Sequence, residues 1–155
     1  MIQIRRILVP TDFSEPSEQA ALYGAELAKR YGAEVHCLHV SDIPADLLST
    51  SAYYVTGPSE QFIEQIRQEG RKNLETFAKK NLQGVPCTTV FMEGRPFVEI
   101  IRYARDKKVD LIVIATHGRT GLKHVLFGSV AEKVVRKAPC PVLVVRLGER
   151  EFVMP

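Results

Sequence analysis

Short apolar runs and longer amphipathic stretches alternate along this chain, and that alternation carries most of its architectural information. Arg6 to Pro10 reads as a first strand. Ser14-Glu15-Pro16 then supplies a capping hydroxyl, an acid and a proline, each favoured in the first turn of a helix. Ala20, Gly24, Leu27, Ala28 and Tyr31 recur at helical spacing, and Gly32 is suited to a left-handed terminator. Glu34 to Val40 is a second strand. Ser41 to Gly57, with Pro44, Ser49 and Ser51, has no period and is expected to be a long connection able to fold over a ligand. Pro58-Ser59-Glu60 opens a second helix with Phe62, Ile66, Leu74 and Phe77 on one face. Pro86 to Met92 is a third strand, Gly94-Arg95-Pro96 a turn, and Pro96 to Asp106 a third helix carrying Phe97, Ile100, Ile101 and Ala104. Val109 to Ala115, an almost unbroken apolar run, predicts a fourth strand buried on both faces. Val130 to Lys137 predicts a last helix and Pro141 to Arg146 a fifth strand.

Strands separated by helices require right-handed crossovers and a parallel sheet covered on both faces. The fold class expected is therefore α/β, a doubly wound, Rossmann-like five-stranded parallel sheet with strand order 3-2-1-4-5. At 155 residues the chain suits one domain, here 1–146, followed by a short tail at 147–155. Such sheets bind ligands outside the carboxyl ends of their strands, where the strand order reverses.

Composition narrows the function classes. The apolar runs are strand-sized, far below the ~20 residues that span a bilayer, so no membrane partner is expected. The amino terminus has no long apolar stretch followed by a small-residue cleavage site, which leads to the expectation of a soluble cytoplasmic protein. Cys37, Cys87 and Cys140 are odd in number and far apart, which suits neither a disulfide framework nor a metal cluster. His36 and His39 face opposite sides of the second strand, so no metal site is expected there. A net charge of +3, spread along the chain and mixed with acids, gives no case for nucleic acid.

Two segments following strands could carry chemistry. Asp12, after the first strand, could accept hydrogen bonds from ribose hydroxyls or cap the following helix; the fragment alone does not separate these. After the fourth strand, Gly118, Gly121 and Gly128 stand among basic side chains just before a helix start. Glycines admit close backbone approach to phosphate oxygens, and a helix amino terminus adds unpaired N–H groups and a favourable dipole. Ser129-Val130-Ala131-Glu132 also fits a capping box, so Ser129 could serve its own helix. Neither a Walker A loop nor a G-x-G-x-x-G after the first strand is present.

From Arg6 to Arg146 the chain resembles the nucleotide-binding branch of the universal stress proteins. The resemblance is carried by Ile7-Leu8-Val9-Pro10-Thr11-Asp12-Phe13-Ser14, Gly94-Arg95-Pro96, the long glycine loop, and Ala138-Pro139-Cys140-Pro141-Val142-Leu143-Val144-Val145. Aligned on the family pattern G-x2-G-x9-G-[ST], Gly118 is the second glycine, Gly128-Ser129 closes the motif, and Ala115 replaces the first glycine. The resemblance implies a bound ATP or AMP, with Mg accompanying ATP. It places Pro10, Thr11 and Asp12 against adenine and ribose, and the backbone of Val40 against adenine. It assigns Gly118, Arg119, Gly128, Ser129 and Val130 to the phosphates. It also implies a homodimer paired through the last strand, Pro141 to Val145. The methyl of Ala115 is expected to sit near the ribose and to cost most if that position needs a positive φ.

The function expected is an adenine-nucleotide-binding stress-response protein, acting as a dimeric sensor or regulator. A dimeric interaction module without nucleotide, for which Ala115 speaks, is the alternative, as is slow ATP turnover or autophosphorylation involving Thr120 and Ser129. His117, Asp12 and Ser129 could be spatial neighbours, but no nucleophile elbow accompanies them and no catalytic residue is assigned.

Overall fold

The computed structural model describes residues 1–42, 59–117 and 128–146. Five strands, β1 (Arg6–Pro10), β2 (Glu34–Ser41), β3 (Cys87–Glu93), β4 (Leu111–Ala115) and β5 (Val142–Val145), form one sheet in the order β3-β2-β1-β4-β5. Every neighbouring pair is parallel. The helices are α1 (Glu15–Tyr31), α2 (Glu60–Asn81), α3 (Pro96–Asp106) and α4 (Ser129–Lys137). The connection at 43–58 and the tail at 147–155 lie outside the described residues.

Side-chain alternation along the strands divides the core into two layers. Ile7, Val9, Val35, Cys37 and Val113 face α1 and α2, where Ala20, Ala21, Ala25 and Ala28 let α1 lie close to the sheet. Leu8, Leu38, Ile112 and Ile114 face α3 and α4 and pack on Ile100, Ala104, Ala131 and Val134. Ile7, Leu8 and Ile112 are fully buried, each worth roughly 1.5–3 kcal/mol relative to exposure. Burial pushes the Cys37 thiol far above its ordinary range, and the nearby Cys87 adds to this.

Helix α1 begins as the sequence predicts: Ser14 caps it by accepting from the Ser17 amide, and Gly32 closes it at φ 64°. Strand β2 runs one residue further than expected, to Ser41, because Gly94 returns along it and donates its amide to the Ser41 carbonyl at 3.0 Å. Strand β4 starts later than expected, at Leu111. Val109 instead donates to the Ala104 carbonyl at 2.9 Å, and Asp110 Oδ2 accepts from the Arg5 and Arg6 amides, which pins the start of β1. The inward face of α2 is also corrected. Ile63, Leu74 and Phe77 are buried, whereas Phe62 is 52% exposed and Ile66 sits at the rim. Tyr31 of α1, expected on the inner face, is 53% exposed.

His36 and His39 project to opposite faces. His36 Nδ1 meets the Tyr103 hydroxyl of α3 at 2.7 Å, and its Nε2 lies 3.3 Å from Glu34 Oε1 without a well-aligned hydrogen bond. His39 stacks on Phe13 on the α1 side. No helix of the described residues is long and apolar enough to cross a membrane.

Candidate functional site

The chain runs outward from β1 to β2 and β3 and then crosses back to β4, so the strand order reverses between β1 and β4. A cleft of about 280 Å³ opens there, at the carboxyl ends of β1, β2 and β4. Its lining includes Pro10, Thr11, Asp12, Val40, Ala115, Gly128, Ser129 and Val130, eight of the ten residues singled out from the sequence. Gly118 and Arg119 lie outside the described residues, as do Thr120 and the rest of the glycine loop to 127.

The turn after β1 is built by a chain of hydroxyls. The Phe13 amide donates to Thr11 Oγ1 at 2.9 Å, Thr11 Oγ1 lies 2.9 Å from Ser17 Oγ, and Ser17 Oγ donates to the Ser14 carbonyl at 2.7 Å. Because Ser17 has one proton to give, the Thr11 hydroxyl is the donor between the two. Asp12 Oδ1 accepts from both the amide and the hydroxyl of Ser14. Ser14, not Asp12, is therefore the cap of α1, and Asp12 braces the cap while lining the cleft. Phe13 takes φ 65°, a left-handed conformation uncommon for a bulky side chain.

Val40 presents peptide groups to the cleft for a reason of register. Thr11 N donates to the Leu38 carbonyl at 2.8 Å, while Val35 N and the Ser41 carbonyl pair on the β3 side. Alternate residues of a strand point their N–H and C=O the same way. Those of Val40 consequently face the side that β1 has vacated. Leu38, Val40, Pro96, Ile100 and Ile114 supply an apolar wall beside them. Leu38, Pro96, Ile100 and Ile114 were not singled out from the sequence, since each reads there as an ordinary core or turn residue; the packing of α3 beside the ends of β2 and β4 recruits them.

At the other end stands the amino terminus of α4. Its cap is Gly128, which corrects the capping box expected at Ser129; Ser129 is the first helical residue, and no side chain of the described residues caps this end. The first intrahelical bond runs from Glu132 N to the Gly128 carbonyl, so the amides of Ser129, Val130 and Ala131 precede it and point out along the helix axis. Gly128 spends its own amide on the Thr116 carbonyl.

Ala115 belongs to β4, paired with Val145, and its side chain is part of the α1-side core with Val113. Its φ is not positive, so backbone conformation does not call for glycine here, and the residue also lines the cleft. Asp12, His117 and Ser129 do share the cleft, with His117 Nδ1 3.0 Å from Thr116 Oγ1. Among the described residues no group of His, Cys, Asp and Glu side chains is arranged to hold a metal ion.

Residues 3–146 match the universal stress protein family. The chain is 39% identical to the universal stress protein MJ0531 of Methanocaldococcus jannaschii over 95% of this chain and 85% of the other. It superposes on the solved structure of MJ0577, a universal stress protein of the same organism, with a TM-score of 0.80 and 32% identity, covering 96% and 99% of the two chains. A family protein from Arabidopsis thaliana with AMP bound shares the fold at a TM-score of 0.63 and 22% identity, covering 93% and 92%. Two further structures of the same fold hold dAMP and cAMP, at TM-scores of 0.62 and 0.59 and identities of 21% and 20%.

Proposed function

This chain belongs to the universal stress protein family, and on that premise we propose that it binds an adenine nucleotide, AMP or ATP with accompanying Mg, in the cleft between β1, β2 and β4. The observation that carries the reading is the convergence on one cleft of an apolar wall, the outward peptide groups of Val40 and the uncapped start of α4. Each matches one part of a nucleotide. The base lies against Leu38, Val40 and Ile100, with the Val40 N–H and C=O meeting its polar edge. Pro10, Thr11 and Asp12 flank the base and the ribose, where a carboxylate accepts from hydroxyls. The amides of Ser129 and Val130 receive a phosphate, favoured there by unpaired donors and the helix dipole. The choice of adenine follows the nucleotides held by proteins of the same fold.

The protein acts in this reading as a sensor or regulator whose state follows the nucleotide, and as a homodimer paired through β5. Pro141 and Val145 give their carbonyls to β4, accepting from Ile112 and Thr116, so Val142 and Val144 turn their N–H and C=O to the edge that no other strand of the described residues covers. Such an edge, with Leu143 36% exposed beside it, favours pairing with a second copy. For the alternative, an interaction module that has given up nucleotide, Ala115 supplies no argument from backbone conformation, since its φ is not positive.

Calorimetric titration of nucleotide-stripped protein with AMP, ATP plus Mg and UMP tests the reading. Saturable binding of the adenine nucleotides, well ahead of UMP, is the expected result. Absence of heat with either adenine nucleotide at hundreds of micromolar overturns it.

A further inference from the structure

We infer that His39 is a positioning residue for the cleft: from the opposite face of β2 it holds the β1–α1 turn in the conformation that presents Asp12. The ligand in this inference rests on the nucleotide reading; the hold on the turn does not.

His39 adds a hold from outside the turn. Phe13 sits at φ 65°, a conformation that its side chain disfavours, and the bonds within the turn are short-range ones from the Phe13 and Ser14 amides to Thr11 Oγ1 and Asp12 Oδ1. His39 reaches this turn twice. Its ring stacks on Phe13 with centroids 4.3 Å apart and planes 28° from parallel, and its Nδ1 lies 2.9 Å from the Thr11 carbonyl oxygen. A carbonyl only accepts, so Nδ1 of the imidazole carries a proton and donates it. The ring is itself seated against Phe91 of β3 at 5.8 Å, while Phe13 meets Phe77 of α2 edge-on at 6.0 Å.

The Thr11 carbonyl is the acceptor that a continued β1–β2 ladder would give to Val40 N–H, since Thr11 N already pairs with the Leu38 carbonyl. His39 engages that carbonyl at the point where β1 leaves the ladder and the Val40 peptide is turned to the cleft. His39 is not part of the cleft lining. Its influence on a ligand passes through Thr11, Asp12 and Val40.

Two variants separate the ring from the donor. His39→Phe keeps an aromatic ring against Phe13 and removes the Nδ1 proton; His39→Asn keeps a donor near the same position and gives up the stack. Amide hydrogen exchange reads the turn without ligand, with Leu8 and Ile112 as core references, and calorimetry reads AMP. In His39→Phe the Phe13 and Ser14 amides should exchange about tenfold faster with the references unchanged, and AMP affinity should fall about tenfold, with His39→Asn recovering most of both. Unchanged exchange at Phe13 and Ser14 in His39→Phe overturns the inference, as does faster exchange with undiminished AMP affinity, or an Asn variant as impaired as the Phe variant. If the parent takes up no AMP, the nucleotide reading fails and the exchange result alone decides whether His39 holds the turn.

Discussion

Gly128 donates its amide to the Thr116 carbonyl oxygen across 2.6 Å, and a Cβ added at Gly128 would stand 2.9 Å from that same oxygen. The end of β4 and the start of α4 are thus held together by a contact that has no room for a side chain. Gly128 has φ −68°, so the demand for glycine here is one of space and not of backbone conformation. Gly128→Val should displace the amides of Ser129 and Val130 from the cleft and weaken AMP binding at least ~tenfold. Overpacking of this kind should also lower stability by about 1–3 kcal/mol, with circular dichroism nearly unchanged. Calorimetry alongside urea unfolding checks both. Unaltered affinity would remove α4 from the binding site.

Asp12 has an observed role and a proposed one that one experiment can separate. Its Oδ1 braces the Ser14 cap of α1, so Asp12→Ala should cost about 1 kcal/mol in stability whatever the ligand. If it also accepts from the ribose, the variant should lose more affinity for AMP than for 2′,3′-dideoxy-AMP, which has no hydroxyls to donate. Equal losses for the two would confine Asp12 to its bracing role.

Ala115 should tolerate no improvement by glycine. Its methyl is buried in the α1-side core and its backbone is extended. Ala115→Gly should therefore leave AMP affinity within about twofold of the parent, while strand flexibility and the lost methyl lower stability by about 1 kcal/mol. A marked gain in affinity would show that the methyl crowds the ligand after all.

Much of this organisation is legible in the residue pattern because local signals and long-range packing agree. Ser14, Pro16 and Gly32 bound α1 by local chemistry, and the apolar run ending at Ala115 can only be a buried strand in a chain of this kind. Where the two diverge, the pattern misleads. The capping-box spacing at Ser129 and Glu132 is overridden by the bond between Gly128 and Thr116, which moves the cap one residue back. In α2, Phe62 and Ile66 satisfy a helical period as well as Ile63 does, and which stripe turns inward is decided by the sheet it lands on. His39 offers no sequence signal of its role, because its partners, Thr11 and Phe13, are brought to it by strand pairing.

The β5 edge supplies a test of the dimer that leaves the sheet itself intact. Val144 turns its N–H away from β4, so Val144→Pro removes a donor from the open edge without breaking a β4–β5 bond. Light scattering should give twice the chain mass for the parent at tens of micromolar and a shift to monomer, or loss of solubility, for the variant. A monomeric parent contradicts the dimer, and a well-folded, equally dimeric variant moves the interface away from β5.

If the cleft at the β1–β4 reversal receives an adenine nucleotide, titration with AMP followed by backbone amide chemical shifts reports it residue by residue. Saturable shifts are expected at Thr11, Asp12, Val40, Ser129 and Val130, with Arg6 and Thr88, at the far end of the sheet, unmoved. Shifts confined to residues outside this set, or none at millimolar AMP, would contradict it.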